Sequence, residues 1–134
     1  MKLKFLIAVS LIAIFTVLFI LPIYFHWPNY AGSYNIEDYA ELIEIGGKPE
    51  RNVGNIGNSF QASQKGISVI TTQFPHVKER VAWFSWETKY EIYRDEDSQT
   101  WLVYIMPRSK YVMGGCYGVI LTDTGEIVSC WGER

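Results

Sequence analysis

Two cysteines, two histidines and a dense set of aromatic rings are the residues of this 134-residue chain with chemistry to offer. Cys116 and Cys130 are its only cysteines, and they flank a C-terminal hairpin. With Thr122 set opposite Glu126, Cys130 faces Gly118 and Cys116 faces Gly132. Both sulfurs then lie on one face, as diagonal neighbours. A bulge at Gly114-Gly115 or Gly118 would bring them into disulfide range. In an oxidising compartment such a bond would stabilise by ~3 kcal/mol. The same stretch, Gly114-Gly115-Cys116-Tyr117-Gly118, also spells G-x-C-x-G, a thiol counterpart of the nucleophile elbow. An elbow needs a strand before it, a helix after it and a histidine partner. Here a strand follows, and glycines around a sheet bulge account for the same letters. A thiol-dependent enzyme centred on Cys116 therefore stands as the alternative, and no catalytic residue is expected.

The histidines are isolated. His76 follows Pro75 at a helix end, where the helix dipole and Glu79 favour a structural role. His26 falls in an aromatic stretch. With two lone histidines and two cysteines there is no metal-ligand spacing, so no metal or cofactor is expected. Glu87, Glu91, Asp95, Glu96 and Asp97 crowd one turn but lack the twelve-residue calcium-loop pattern and read as a solvated turn. Twelve basic against fourteen acidic residues leave no excess to neutralise a phosphate backbone, which argues against a nucleic-acid partner. Gly54-Asn55-Ile56-Gly57 matches the KH-domain loop in letters only, without basic neighbours.

The rings are the most unusual feature. Trp83, Phe84, Trp86, Tyr90, Tyr93, Trp101, Tyr104, Tyr111, Tyr117 and Trp131 lie on or beside predicted strands. Half of them suffice for a core under a helix, which leaves an aromatic outer face suited to a protein, peptide or glycan. Trp83, Trp86, Tyr90, Trp101 and Tyr104 are the candidate binding residues, with the Gly-rich loop 46–58 beside them. The competing possibilities are a core on both faces of the sheet, or contact with a membrane surface.

Those residues need a scaffold, and the chain supplies it in two parts: 1–27 and 28–134. Phe5 to Phe25 is an uncharged run of 21 residues, ~31 Å as a helix, against a hydrocarbon core of roughly 30 Å. Ser10 and Thr16 are its only polar interruptions, and Pro22 marks its end. Tyr24, Phe25, Trp27 and Tyr30 form an interfacial belt. The run is long for a signal peptide, and the nearest small-x-small triplet, Ala31-Gly32-Ser33, lies beyond a bulky stretch. A retained single-pass anchor is expected, with lipid as the partner of residues 5–25. Lys2 and Lys4 precede the run, and the next basic residue is Lys48. The N-terminus is thus expected in the cytoplasm and residues 28–134 outside the cell membrane.

The exported part reads as α+β. Asn35 caps a helix whose Ile36, Tyr39, Leu42 and Ile43 share a face, and Gly46-Gly47 with Pro49 ends it. After the loop, Ser59 is positioned to cap a second helix carrying Phe60, Ile67, Ile70 and Phe74, stopped by Pro75. The β-branched run Ile67–Thr72 leaves a strand open there. Val81–Trp86 and Lys89–Arg94 are the first strand segments. Trp101–Met106 follows, with Trp101, Val103 and Ile105 on one side. Tyr117–Thr122 and Glu126–Trp131 close the domain around the three-residue turn Asp123-Thr124-Gly125. One or two helices on a three- to four-stranded antiparallel sheet is the expected architecture.

The pattern Trp101-Leu102-Val103, Gly114-Gly115, Ile120 and Gly125-Glu126-Ile127 resembles small bacterial domains of the NTF2-fold immunity type. The ending Leu121-Thr122-Asp123-Thr124-Gly125-Glu126-Ile127 is also similar to the close of PepSY-type domains. The likeness covers about the last 35 residues. Both families imply binding, often inhibitory, rather than catalysis. The expected function is therefore a membrane-anchored extracytoplasmic interaction domain. An accessory subunit acting through its anchor helix is a further alternative.

Overall fold

Pro22 shapes the first element. The computed structural model describes residues 2–82, 87–109 and 115–132, and Trp83, Phe84, Trp86, Tyr111 and Gly114 lie outside them. Helix α1 (Lys2–Phe15) passes through a π-helical turn (Thr16–Ile20) into α2 (Leu21–Phe25). A proline has no N–H to give, and its ring crowds the carbonyl four residues back. The helix widens just before it: the Leu21 N–H reaches back five residues to the Thr16 carbonyl. The stretch Lys2–Tyr24, 23 residues or ~34 Å, is long and apolar enough to cross a membrane. Nearly all of it is exposed.

Strand β1 (Asn29–Ser33) begins four residues after the helix ends and runs parallel to β2 (Thr88–Asp95). Asn29 sits opposite Glu91 and Ser33 opposite Arg94, with a register shift between Tyr30 and Gly32. Gly32 takes φ +123°, which an L side chain rarely adopts. Strands β3 (Thr100–Pro107), β4 (Tyr117–Thr122) and β5 (Ile127–Gly132) continue as an antiparallel meander, so the sheet order is β1-β2-β3-β4-β5. The sheet is mixed and five-stranded, where three or four antiparallel strands were expected. β1 is the difference. Its residues are mostly exposed, so its sequence carries no apolar alternation, and only pairing with β2 makes it a strand.

Helices cover both faces of the sheet. Asn35 caps as expected, its Oδ1 accepting the Glu37 N–H at 3.1 Å. A 3-10 turn (Ile36–Tyr39) leads into α3 (Ala40–Ile45). Tyr39, Leu42 and Ile43 pack there on Leu102, Ile120 and Trp131. On the opposite face α4 (Ser59–Gln73) buries Ala62, Gly66, Val69 and Ile70 against Ile92, Val103, Ile105, Val119 and Leu121. Its cap is Asn58, whose Oδ1 accepts the Gln61 N–H at 2.8 Å, and not Ser59. The buried stripe also differs from the expected one: Phe60 is exposed, and Ile67 and Phe74 are half-buried. Close approach explains the choice. A Cβ on Gly66 would stand 2.7 Å from Val103 Cγ2, so the helix sits on the sheet through its small residues. Ile67–Thr72 remains helical because this packing outweighs β-branched propensity.

The loop from Gly46 to Gly57 passes round the β5 edge. Gly47 and Cys130 exchange two backbone hydrogen bonds of 2.8 Å, and the Val53 N–H donates to Gly125 O at 3.0 Å. Asn52 bridges Glu126. The loop satisfies edge groups that would otherwise template aggregation. Gly125 is required on two counts. It takes φ +89°, and an added Cβ would stand 2.3 Å from Gly54 O.

Gly66→Ala should destabilise the domain by about 1–3 kcal/mol through overpacking, despite the higher helix propensity of alanine. Val103→Ala in the same chain should recover part of that loss. Urea melts of the two variants check it.

Candidate functional site

The three candidate aromatic residues that are described, Tyr90, Trp101 and Tyr104, pack into the cores. Tyr90 is 2% exposed and Trp101 9%, both in the core under α4. Tyr104 is half-buried on the α3 face, in edge-to-face contact with Tyr93 and Trp131. Trp83 and Trp86 are the two candidates outside the described residues. Among the described residues the sheet therefore has no open aromatic face. The rings are divided between two cores because α3 covers the side expected to be bare.

Trp101 belongs to a polar constellation that its letters alone did not announce. Arg94, opposite it on β2, stacks over its ring at 4.7 Å. The guanidinium makes a two-pronged contact with Asp123, with Nη2 to Oδ2 at 2.8 Å and Nη1 to Oδ1. Trp101 Nε1 donates to the same carboxylate at 2.8 Å. These hydrogen bonds, Arg94 first, hold the Asp123 carboxyl below the usual carboxylate range. The Arg94 side chain is only 11% exposed, so its charge depends on Asp123. A shallow cavity of about 470 Å³ opens beside the pair, walled by Ile56, Asn58 and Ser59 at the start of α4. The cation and anion satisfy one another, so this cluster ties β2 to the β4–β5 turn.

Asp95, read as part of a solvated turn, is buried. Its Oδ2 accepts the Ile36 N–H at 3.1 Å and the Ser98 hydroxyl at 2.8 Å. With the Ser98 proton given to Asp95, Thr100 donates to Ser98 at 2.7 Å and Tyr34 to Thr100. Burial pushes the Asp95 carboxyl up, but these backbone and hydroxyl donors outweigh it and leave it lowered. Burial pushes Tyr34 up to about 12, so it keeps its proton. Glu91 accepts from Tyr93 at 2.6 Å and pairs with Lys89 at 3.3 Å, and Glu96 pairs with Arg94 at 3.5 Å. Among the described residues, no three His, Cys, Asp or Glu side chains converge to hold a metal.

No disulfide joins Cys116 and Cys130. β5 carries a bulge at Val128, which shifts the register by one residue and sets Cys130 opposite Val119. Val119 lies three positions along from Cys116, ~10 Å on an extended strand, beyond the Cα separation a disulfide spans. Burial pushes the Cys130 thiol up to about 12, so it is no nucleophile at neutral pH. His76 Nε2 meets the Tyr117 hydroxyl at 2.7 Å, a contact between the Pro75–Glu79 turn and β4.

A second accessible feature lies where the apolar helix meets the sheet. A groove of about 840 Å³ has Ile20, Ile23, Tyr24 and Trp27 along one side. Lys89, Glu91 and Arg108 stand on the other. His26 Nδ1 bonds the Tyr90 hydroxyl at 2.7 Å, and the Trp27 ring packs 6.1 Å from Phe60. Arg108 Nη2 donates to Thr88 O at 3.3 Å, which positions the guanidinium. Tyr24 and Trp27 were recognisable as belt residues. Lys89 and Arg108 had no signal, because Lys89 on β2 and Arg108 just after β3 each lie more than sixty positions from the helix.

No family model, curated protein or solved structure matches this chain.

Asp123 and Asp95 both have lowered carboxyl pKa values, so the unfolded chain takes up their protons first as the solution is acidified. Their contribution is complete above about pH 4, the unfolded range, and disappears as pH falls through the folded values. Asp123→Asn should therefore flatten the acid limb of a stability–pH profile. Arg94→Ala should cost about 1–3 kcal/mol at neutral pH by stranding a carboxylate that is only partly wet. Intact mass without reductant should equal that of the dithiol, with Cys130 alkylated only in denaturant.

Proposed function

We propose that this chain is a single-pass membrane protein that presents a non-catalytic binding domain at the membrane surface. Residues 5–25 stay in lipid, Lys2 and Lys4 hold the N-terminus in the cytoplasm, and residues 28–134 lie outside. The helix supports this reading with its surface: Leu3, Phe5, Leu6, Leu11 and Ile12 are each more than half exposed, an apolar expanse that water disfavours.

The observation that carries retention is the position of β1. The small-x-small triplet Ala31-Gly32-Ser33 lies inside that strand. Cutting there would remove most of the strand paired with β2. The helix exit and the folded domain are thus one continuous construction, which a cleaved leader would not need to be. Binding is assigned to the groove at that junction, since Tyr90, Trp101 and Tyr104 are occupied in the cores. The resemblance to immunity-type domains agrees with a binding role.

Full-length protein bearing a C-terminal tag should remain in membranes after alkaline carbonate washing. Protease added from outside should remove the tag, and the extracted mass should include residues 1–27. Recovery as a soluble species, or as a chain shortened near residue 31, would overturn the placement.

A further inference from the structure

The groove between the helix exit and the sheet has walls of two chemistries, and we infer that it holds one anionic phospholipid of the leaflet that the exit reaches. This rests on the proposed membrane placement and goes beyond it by naming the ligand. Ile20 and Ile23 give an apolar wall continuous with the exposed surface of the helix. Tyr24 and Trp27 follow, amphipathic rings of the kind that sit at headgroup level. From Ile20 to Tyr24 the helix rises ~6 Å, comparable with one polar layer of a bilayer, roughly 5–8 Å. Acyl chains laid on the isoleucines would bring the lipid phosphate to the polar end of the same cavity, where Lys89 and Arg108 stand.

Charge selects the headgroup. Beyond residue 27 the chain carries ten basic and fourteen acidic residues, about −4 net, so the domain as a whole repels an anionic surface. Among the described residues that line the groove the balance is different: Lys89 and Arg108 stand there with one carboxylate, Glu91, which pairs with Lys89 at 3.3 Å. A zwitterionic lipid would gain little from this excess, while an anionic lipid gains directly. A soluble phosphate compound would leave the isoleucine wall wet, and a peptide would not need it at headgroup depth.

The test uses full-length protein in nanodiscs of phosphatidylcholine with a minor share of phosphatidylglycerol. After transfer to mild detergent, native mass spectrometry counts the lipids retained. One phosphatidylglycerol per chain is expected. Lys89→Gln with Arg108→Gln should lower its retention about thirty-fold, as expected for two basic groups facing an anionic headgroup. Lys48→Gln with Lys78→Gln, an equal loss of charge elsewhere, should leave it unchanged. Matching thermal melts show that both double variants fold. Equal retention of phosphatidylcholine, or a groove variant that retains phosphatidylglycerol like the wild type, would overturn the inference alone. So would displacement by glycerol phosphate at the lipid's own concentration, which would identify a soluble anion as the occupant. A chain absent from carbonate-washed membranes would overturn the placement and this inference together.

Discussion

The parallel pairing of β1 with β2 is the constraint from which the rest of the fold follows. Parallel neighbours cannot be joined by a hairpin; the chain must leave one end of the sheet and return to the other. Among the described residues, the connection from Ser33 to Thr88 holds every helix that follows β1. It crosses one face as α3, rounds the β5 edge as the loop from Gly46 to Gly57, and returns over the other face as α4. One pairing choice thus covers both faces and the far edge. It also fixes the helix exit to the sheet, because β1 begins four residues after α2 ends.

Two polar clusters keep that wrapping in place, one on each side of the end of the β2–β3 hairpin. Arg94, on the α4 side, joins β2 to Asp123 in the β4–β5 turn across the Trp101 ring. Asp95, the next residue, points to the other side and holds the first turn of the α3 segment through the Ile36 N–H. Strand alternation makes adjacent residues serve opposite faces. Each carboxylate is paired or hydrogen-bonded where its burial would otherwise be costly. Near-complete satisfaction matters in a small domain with two thin cores, where a single unpaired group is a large fraction of net stability.

The parts legible in the sequence were those written locally. The apolar run, the Asn35 cap, the left-handed Gly125 turn and the alternation of Trp101 to Met106 each depend on a few neighbouring residues. The parts that were not legible depend on partners far away. Asn-Tyr-Ala-Gly-Ser has no strand pattern, and its partner lies about sixty residues on. The Val128 bulge leaves no mark in the letters, yet it moves Cys130 by one position and separates it from Cys116. Trp101 and Tyr90 were rightly singled out as heavy rings on strands. They are buried under α4, while the exposure of Tyr93, Tyr104 and Trp131 turned on whether α3 would cross to the second face, and that is decided by the β1–β2 pairing.

This dependence also bears on the candidate site. Neither the helix end nor the sheet forms the groove by itself: Ile20, Ile23 and Trp27 come from one, Lys89 and Arg108 from the other. Their relative placement is set by β1, with the His26–Tyr90 hydrogen bond beside it. Tyr90 is buried in the core on β2, so His26 is fastened to the sheet and not to a loop. A site built across such a joint is preorganised only while the helix stays attached. Separating the two parts would leave the cores under α3 and α4 in place and dismantle the groove, which makes the joint, more than either part, the functional unit of the proposed binding role.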